Sequence, residues 1–342
     1  MVRGFIVPFL FAALTSCSVL AQESRSLEIY FIDVEGGQAT LIITPKRESL
    51  LIDTGFPDFD GRDADRIVSR AKAAGLQTID YVLINYYHRD HVGGVPQLVD
   101  RIQVGTFVDH GPNREDSDDV RAYYAAYEQV VSRSKRIVLK PGDRLRLAEV
   151  TLQAISSAGE TIRKNLPGAG QTNDLCASEP ETATDVSENA RSLGILLTFG
   201  RFRFLDLGDL TKRKEIALAC PVNRIGPIDL YLTSHHGLDQ SNARALVHAL
   251  HPRVAIMNNG ARKGGKPAAW QIVHDSPGLQ DLWQLHYAIE AGADHNVSQD
   301  LIANPQEQCE GHYLKVSAQS DGTFSISNSR NRYSKTYFAL LH

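Results

Sequence analysis

The run Tyr86-Tyr87-His88-Arg89-Asp90-His91-Val92-Gly93-Gly94 puts two imidazoles and a carboxylate on one turn. Imidazole nitrogen and carboxylate oxygen together suit zinc, manganese or iron. The twin glycines let the backbone come close to whatever the turn holds. His88, Asp90 and His91 are therefore the first candidates for metal chemistry. Arg262, Lys263 and Lys266 sit in a Gly-rich loop, 258–267. That loop is either a clamp for an anionic group such as phosphate or a solvated hairpin tip.

The elements that position these groups follow from apolar patterning. Runs 27–33, 39–44 and 49–53 read as strands, with 45–48 as the turn between the last two. Residues 63–74 have helical spacing and stop at Gly75, a plausible C-cap. Strand 79–84 delivers the His-Asp-His turn, and a short helix, 95–101, follows it. Residues 119–132 predict a surface helix whose Tyr123, Tyr124 and Tyr127 serve packing.

The second half repeats this plan. A hairpin over 191–199 and 203–206 ends at Leu207-Gly208-Asp209, as the first hairpin ends at Asp53-Thr54-Gly55. Strand 228–232 then runs into Thr233-Ser234-His235-His236-Gly237, the counterpart of 79–83 running into Tyr86-Tyr87-His88. Two such halves predict sheet against sheet with helices outside, a four-layer α/β sandwich whose acids and histidines meet along one edge. The polar stretch 158–190 reads as a long excursion loop. From 260 onward the chain reads as a C-terminal α/β extension packed on the 27–259 domain.

Hydrophobic residues make up 42% and charged residues 22% of the 342, which fits a globular protein with a substantial core. The formal charge of −4 argues against binding of long nucleic acid, for which a basic domain is the usual signature. Residues 1–21 read as a signal peptide: Arg3, an apolar 5–14 too short to span a bilayer, then Val19-Leu20-Ala21 before Gln22. Leu14-Thr15-Ser16-Cys17 offers the competing pattern of a lipobox, which would leave a lipidated Cys17 on an outer-membrane lipoprotein. Both patterns place the mature protein outside the cytoplasm, periplasmic or secreted, with no membrane-spanning segment. Export permits disulfides, and Cys176, Cys220 and Cys309 allow one bridge with one thiol left over.

These motifs, in this order, resemble the metallo-β-lactamase superfamily and, within it, the branch near the hydrolase domain of the competence protein ComEC. The resemblance covers 27–259. Asp33-Val34-Glu35-Gly36-Gly37-Gln38-Ala39-Thr40 is similar to that branch's opening strand and Gly-rich turn. Leu51-Ile52-Asp53-Thr54-Gly55 and His88-Arg89-Asp90-His91-Val92-Gly93-Gly94 are similar to the first two superfamily motifs. Leu207-Gly208-Asp209 resembles the bridging-aspartate motif, and Ser234-His235-His236-Gly237 the last ligand motif. Asn189 and Ser192 resemble residues found before the second hairpin in this branch.

The resemblance implies a metal-dependent hydrolase with one or two metal ions per chain, zinc above all, with manganese or iron as alternatives. One metal would take His88 and His110, where Phe107-Val108-Asp109-His110-Gly111 supplies a lone histidine, plus a histidine at position 86. The other would take Asp90, His91 and one of His235 or His236. Asp209 would bridge them, so Asp90 and Asp209 are the candidate catalytic carboxylates. Asp53 would orient the His-Asp-His turn. Position 86, however, is Tyr86. A phenol with a pKa of ~10 is a poor ligand and a good hydrogen-bond donor. The substrate expected is a phosphoester, phosphodiester or related ester. A lactam or lactone is the alternative, as is a metal-binding protein that has lost turnover.

Overall fold

The structure, a computed structural model, describes residues 1–2, 26–180 and 183–339. The export signals at Cys17 and Gln22 lie outside the described residues. Among those described, no helix is long and apolar enough to cross a membrane.

Two mixed sheets face one another. In the first, Leu27–Phe31, Thr40–Ile43 and Ser49–Ile52 form an antiparallel meander. Thr78–Leu83, Gln103–Asp109 and Lys135–Val138 continue it in parallel. In the second, Val150–Ser157, Gly194–Phe199 and Phe202–Asp206 are antiparallel. Leu230–Leu232, Val254–Met257, Asp281–His286 and Ile302–Asn304 follow in parallel. Each half is thus a hairpin feeding parallel strands, as the repeated sequence pattern predicts.

Strand alternation explains the layers. Leu27, Ile29 and Phe31 point between the sheets and meet Phe204, Leu230 and Ile256 in the central core, where Phe31 and Phe204 rings cross edge to face at 5.8 Å. Tyr30, Ile32 and Leu51 point outward and pack under helices Arg62–Ala73 and Asp118–Val131, through Ile67, Val68 and Tyr127. Leu205, Tyr231 and Ala255 do the same for helices Lys212–Ala219, Arg244–Leu250 and Pro267–His274. The order is helix, sheet, sheet, helix: the four-layer arrangement expected from the sequence.

The first helix runs Arg62–Ala73, and Gly75 ends it with φ +81° and a bond to the Lys72 carbonyl. Tyr127 serves packing and also donates to Asp109 at 2.7 Å. The tail beyond 260 is woven into both sheets. Asp281–His286 and Ile302–Asn304 extend the second sheet, and Leu314–Ala318 pairs with Leu27–Phe31 in the first, followed by Phe324–Asn328 and Ser334–Tyr337. Cys176 and Cys220 form the disulfide, tying the polar excursion to the end of helix Lys212–Ala219.

Cys309 is the free cysteine. Its thiol donates to the buried Asp33 carboxylate at 3.1 Å; burial and the Asp33 charge push it up to about 12. Asp33 also accepts from His286 (2.8 Å), Arg66 (2.9 Å) and the Glu35 amide (2.8 Å). All of its acceptor capacity is used within the protein, which fixes the Gly-rich turn that follows.

Candidate metal centre

Every group singled out for chemistry lies just past the carboxyl end of a parallel strand. Asp53 follows Ser49–Ile52, the His88–His91 turn follows Thr78–Leu83, and His110 follows Gln103–Asp109. Asp209 follows Phe202–Asp206, His235 and His236 follow Leu230–Leu232, and Lys263 follows Val254–Met257. Strand ends of an open α/β sheet converge on such an edge. The backbone is bent to fit: Asp53, His235 and His236 are non-glycine residues at φ near +54 to +58°. Such strain collects at functional sites.

Four buried side chains meet at the centre: Asp90, His91, Asp209 and His236, with donor atoms all within 4.8 Å of one another. His91 Nε2 lies 3.4 Å from Asp90 Oδ2, 3.3 Å from Asp209 Oδ1 and 3.2 Å from His236 Nε2. His236 Nε2 lies 3.2 Å from Asp90 Oδ2 and 3.4 Å from Asp209 Oδ1. A tetrahedral ion with bonds of ~2.0–2.1 Å needs ligand–ligand edges of ~3.3–3.4 Å. These five separations, 3.2–3.4 Å, match the edges of that polyhedron.

Hydrogen bonding supports the same reading. His91 Nδ1 is held by Asp53 Oδ2 at 2.6 Å, so Nε2 is the nitrogen presented to the centre. Asp209 Oδ1, which faces the centre, is buried without a hydrogen-bond partner. Two imidazole nitrogens facing each other across 3.2 Å repel unless a cation or proton lies between them. Burial would raise both carboxyls. Lys263 and His91 outweigh it at Asp90, and His235, His236 and His91 do so at Asp209, so both sit well below the usual range. The residues present fit a divalent ion.

Of the histidine pair, His236 belongs to this centre. His235 stands at its edge, with Nε2 3.2 Å from Asp209 Oδ2 and 3.3 Å from Asn189, and Nδ1 3.3 Å from Ser241. Asp53 reaches the His-Asp-His turn at Nδ1 of His91, the nitrogen that faces away from the centre. Tyr86 is buried and donates to Asp209 Oδ2 at 2.5 Å. Burial and the charges of Asp209 and Asp90 raise its phenol well above 10, so it stays a donor.

His88 and His110 are not part of the four-donor centre. His88 Nε2 lies 3.1 Å from Glu115 and His110 Nε2 3.0 Å from Glu188. Glu115 also accepts from the Glu188 amide at 2.7 Å, so the two pairs form one network. Of the basic loop, Lys263 ion-pairs with Asp90, whereas Arg262 pairs with Glu307 and Lys266 with Glu290 at the surface.

Four supporting residues were not singled out in the sequence. Gln38 bridges Asn85 (3.1 Å) and Asp206 (2.7 Å) beneath the centre. Burial pushes Asp206 up to about 7. Glu115 and Glu188 carry no motif, and each lies far along the chain from the histidine it contacts, 27 and 78 residues away. Gln38 stands in the Gly-rich turn and Asp206 three residues before Asp209, so proximity to motifs was the one available signal.

A family model described as the metallo-beta-lactamase superfamily matches residues 32–172. Comparison with curated proteins gave no match. Among solved structures, the chain is similar to a metallo-beta-lactamase with a HARLDQ motif from Cronobacter sakazakii, at 16% identity and TM-score 0.33 over 53% of this chain and 60% of that one. It is also similar to the metallo-beta-lactamase fold protein YhfI from Bacillus subtilis, at 12% identity and TM-score 0.48 over 76% and 96%. Igni18, a metallo hydrolase from Ignicoccus hospitalis, aligns at 12% identity and TM-score 0.43 over 75% and 94%. The chain thus spans 60% of the length of the Cronobacter protein. Residues 32–172 thus match the superfamily model, and the two facing sheets with helices outside are the four-layer α/β arrangement expected from the sequence.

Proposed function

We propose that this chain is an exported metal-dependent hydrolase, akin to the ComEC-like branch, that cleaves a phosphoester, phosphodiester or related ester. The observation that carries the reading is the buried array of Asp90, His91, Asp209 and His236 at tetrahedral spacing. A divalent ion held there, zinc in the first instance, supplies Lewis acidity and lowers the pKa of water toward neutrality.

The chain's own residues do the rest. Asp53 fixes the tautomer of His91. Tyr86 and His235 hold Asp209 Oδ2, which aims Oδ1 at the centre. Lys263 brings an ammonium to the rim beside Asp90, with its side chain about a third exposed. Its nitrogen also lies 5.4 Å from the Phe56 ring centre, and the Arg89 guanidinium lies 5.6 Å from the same ring. Arg89 shares its charge with Asp58, so the Lys263 ammonium is the cation that favours an anionic ester over a neutral one. Periplasmic or secreted location, or a lipid anchor at Cys17, remains part of this proposal.

One observation favours a second reading, a metal-binding protein without turnover. The four side chains close a tetrahedron by themselves, and closed sites are typically structural. Chromogenic phosphodiester, phosphomonoester, lactone and lactam substrates, offered with zinc and with manganese, separate the readings. The expected result is metal-dependent release from the phosphodiester, abolished by a chelator. Turnover of the lactam or lactone alone would select that substrate class instead. No turnover by metal-loaded protein would select the binding role.

A further inference from the structure

The family resemblance implies two metals, and the residues on the second metal's side do not fit one. Tyr86 presents a proton to Asp209, not a lone pair to an ion. Asp209 Oδ2, the oxygen a second metal would share, is taken by Tyr86 and His235. His88 and His110 each direct Nε2 at a glutamate. His110 keeps one unpartnered nitrogen, Nδ1, against the three or more protein donors that a divalent ion ordinarily takes.

A different cation is present. Lys263 ion-pairs with Asp90, itself one corner of the four-donor array. Its loop is stitched to the turn that carries His236: the Gly265 and Lys266 amides donate to the His236 and Gly237 carbonyls at 2.9 Å each. Gly264 has φ +77°, and a Cβ there would lie 2.1 Å from the His236 carbonyl oxygen, so the loop sits as close as glycine allows. The Gly260 amide closes the loop onto the Lys263 carbonyl at 2.8 Å. The ammonium is thus held beside the metal ligands by backbone and still faces solvent.

We propose that this is a one-metal centre in which the Lys263 ammonium supplies the second positive charge and receives the anionic group of the substrate. The inference rests on the metal-centre reading above. It makes Lys263 serve two opposed equilibria. The ammonium competes with the metal for Asp90 and repels it, and it attracts a phosphate once the metal is bound.

The test is zinc titration of the metal-free protein against a chromophoric chelator, followed by inorganic phosphate binding to the zinc-loaded protein. Unaltered protein, Lys263→Met and Lys263→Arg are compared, with Lys263→Gln in reserve should the methionine variant not fold. The unaltered protein takes up one equivalent of zinc. Lys263→Met keeps one equivalent, binds zinc about tenfold more tightly and phosphate about tenfold more weakly, a modest effect for removing a unit charge at contact range. Lys263→Arg retains phosphate binding to within a few-fold. A purely structural lysine would move both constants in the same direction or neither. Two tightly held equivalents, or a Lys263→Met protein whose two constants do not move apart, overturns the inference and leaves the metal-centre reading standing. No zinc uptake by the unaltered protein overturns both.

Discussion

His236→Ala is expected to leave the protein folded, metal-poor and inactive. His236 lies within 3.2–3.4 Å of the three other donors, so its loss opens one corner of the array and leaves Asp90 and Asp209 facing each other with less compensation. The ~10–16 kcal/mol of a structural zinc site, shared over four ligands, gives ~3 kcal/mol per ligand, or about 10²-fold in affinity. His235→Ala should cost much less metal, because of the four donor residues His235 reaches Asp209 alone, at its outer oxygen. Zinc affinity of the two variants, measured against a chelator, checks the assignment. Equal losses in both would show that the pair is not divided as described.

Gly94→Ala is expected to destabilise the whole fold by more than about 3 kcal/mol, well above a typical surface substitution. Gly94 has φ −76°, which any residue adopts, so the cost is steric and not conformational. A Cβ at this position would lie 2.2 Å from the Thr54 carbonyl oxygen. That backbone cannot yield freely. The Thr54 amide donates to the His91 carbonyl at 2.7 Å, and the Gly94 amide to the Gly55 carbonyl at 3.1 Å. The collision therefore falls on the seam that keeps Asp53 against His91. Denaturant unfolding should show a large loss of stability, and the residual folded protein should hold metal poorly. A change below about 1 kcal/mol would mean that the two loops are looser than this seam requires.

Much of this was legible beforehand because the chemistry sits at strand ends. The hydrophobic period of 2 located the strands, and what followed each strand, Asp53, His88 to His91, Asp209, His235 and His236, was then bound to converge. The duplicated plan predicted two facing sheets. The place of the tail was not legible: Leu314–Ala318 pairs with Leu27–Phe31 across nearly the whole chain, and no local pattern encodes such a pairing. The division of labour between His235 and His236 was hidden for a similar reason. Both have left-handed backbones, and only the surrounding Asp90, Asp209 and Asn189 decide which ring points inward. Tyr86 was readable as a departure from the family pattern. That it caps Asp209 shows only once the two halves face each other, and that glutamates occupy His88 and His110 depends on residues 115 and 188, whose positions the motifs do not constrain.

The most direct test of the central claim is anomalous X-ray scattering, above the metal edge, from crystals of the zinc-reconstituted protein. One peak is expected, within bonding distance of Asp90 Oδ2, His91 Nε2, Asp209 Oδ1 and His236 Nε2, with none between His88 and His110. No peak at those four atoms, or a second of equal height beside Tyr86, would contradict the account.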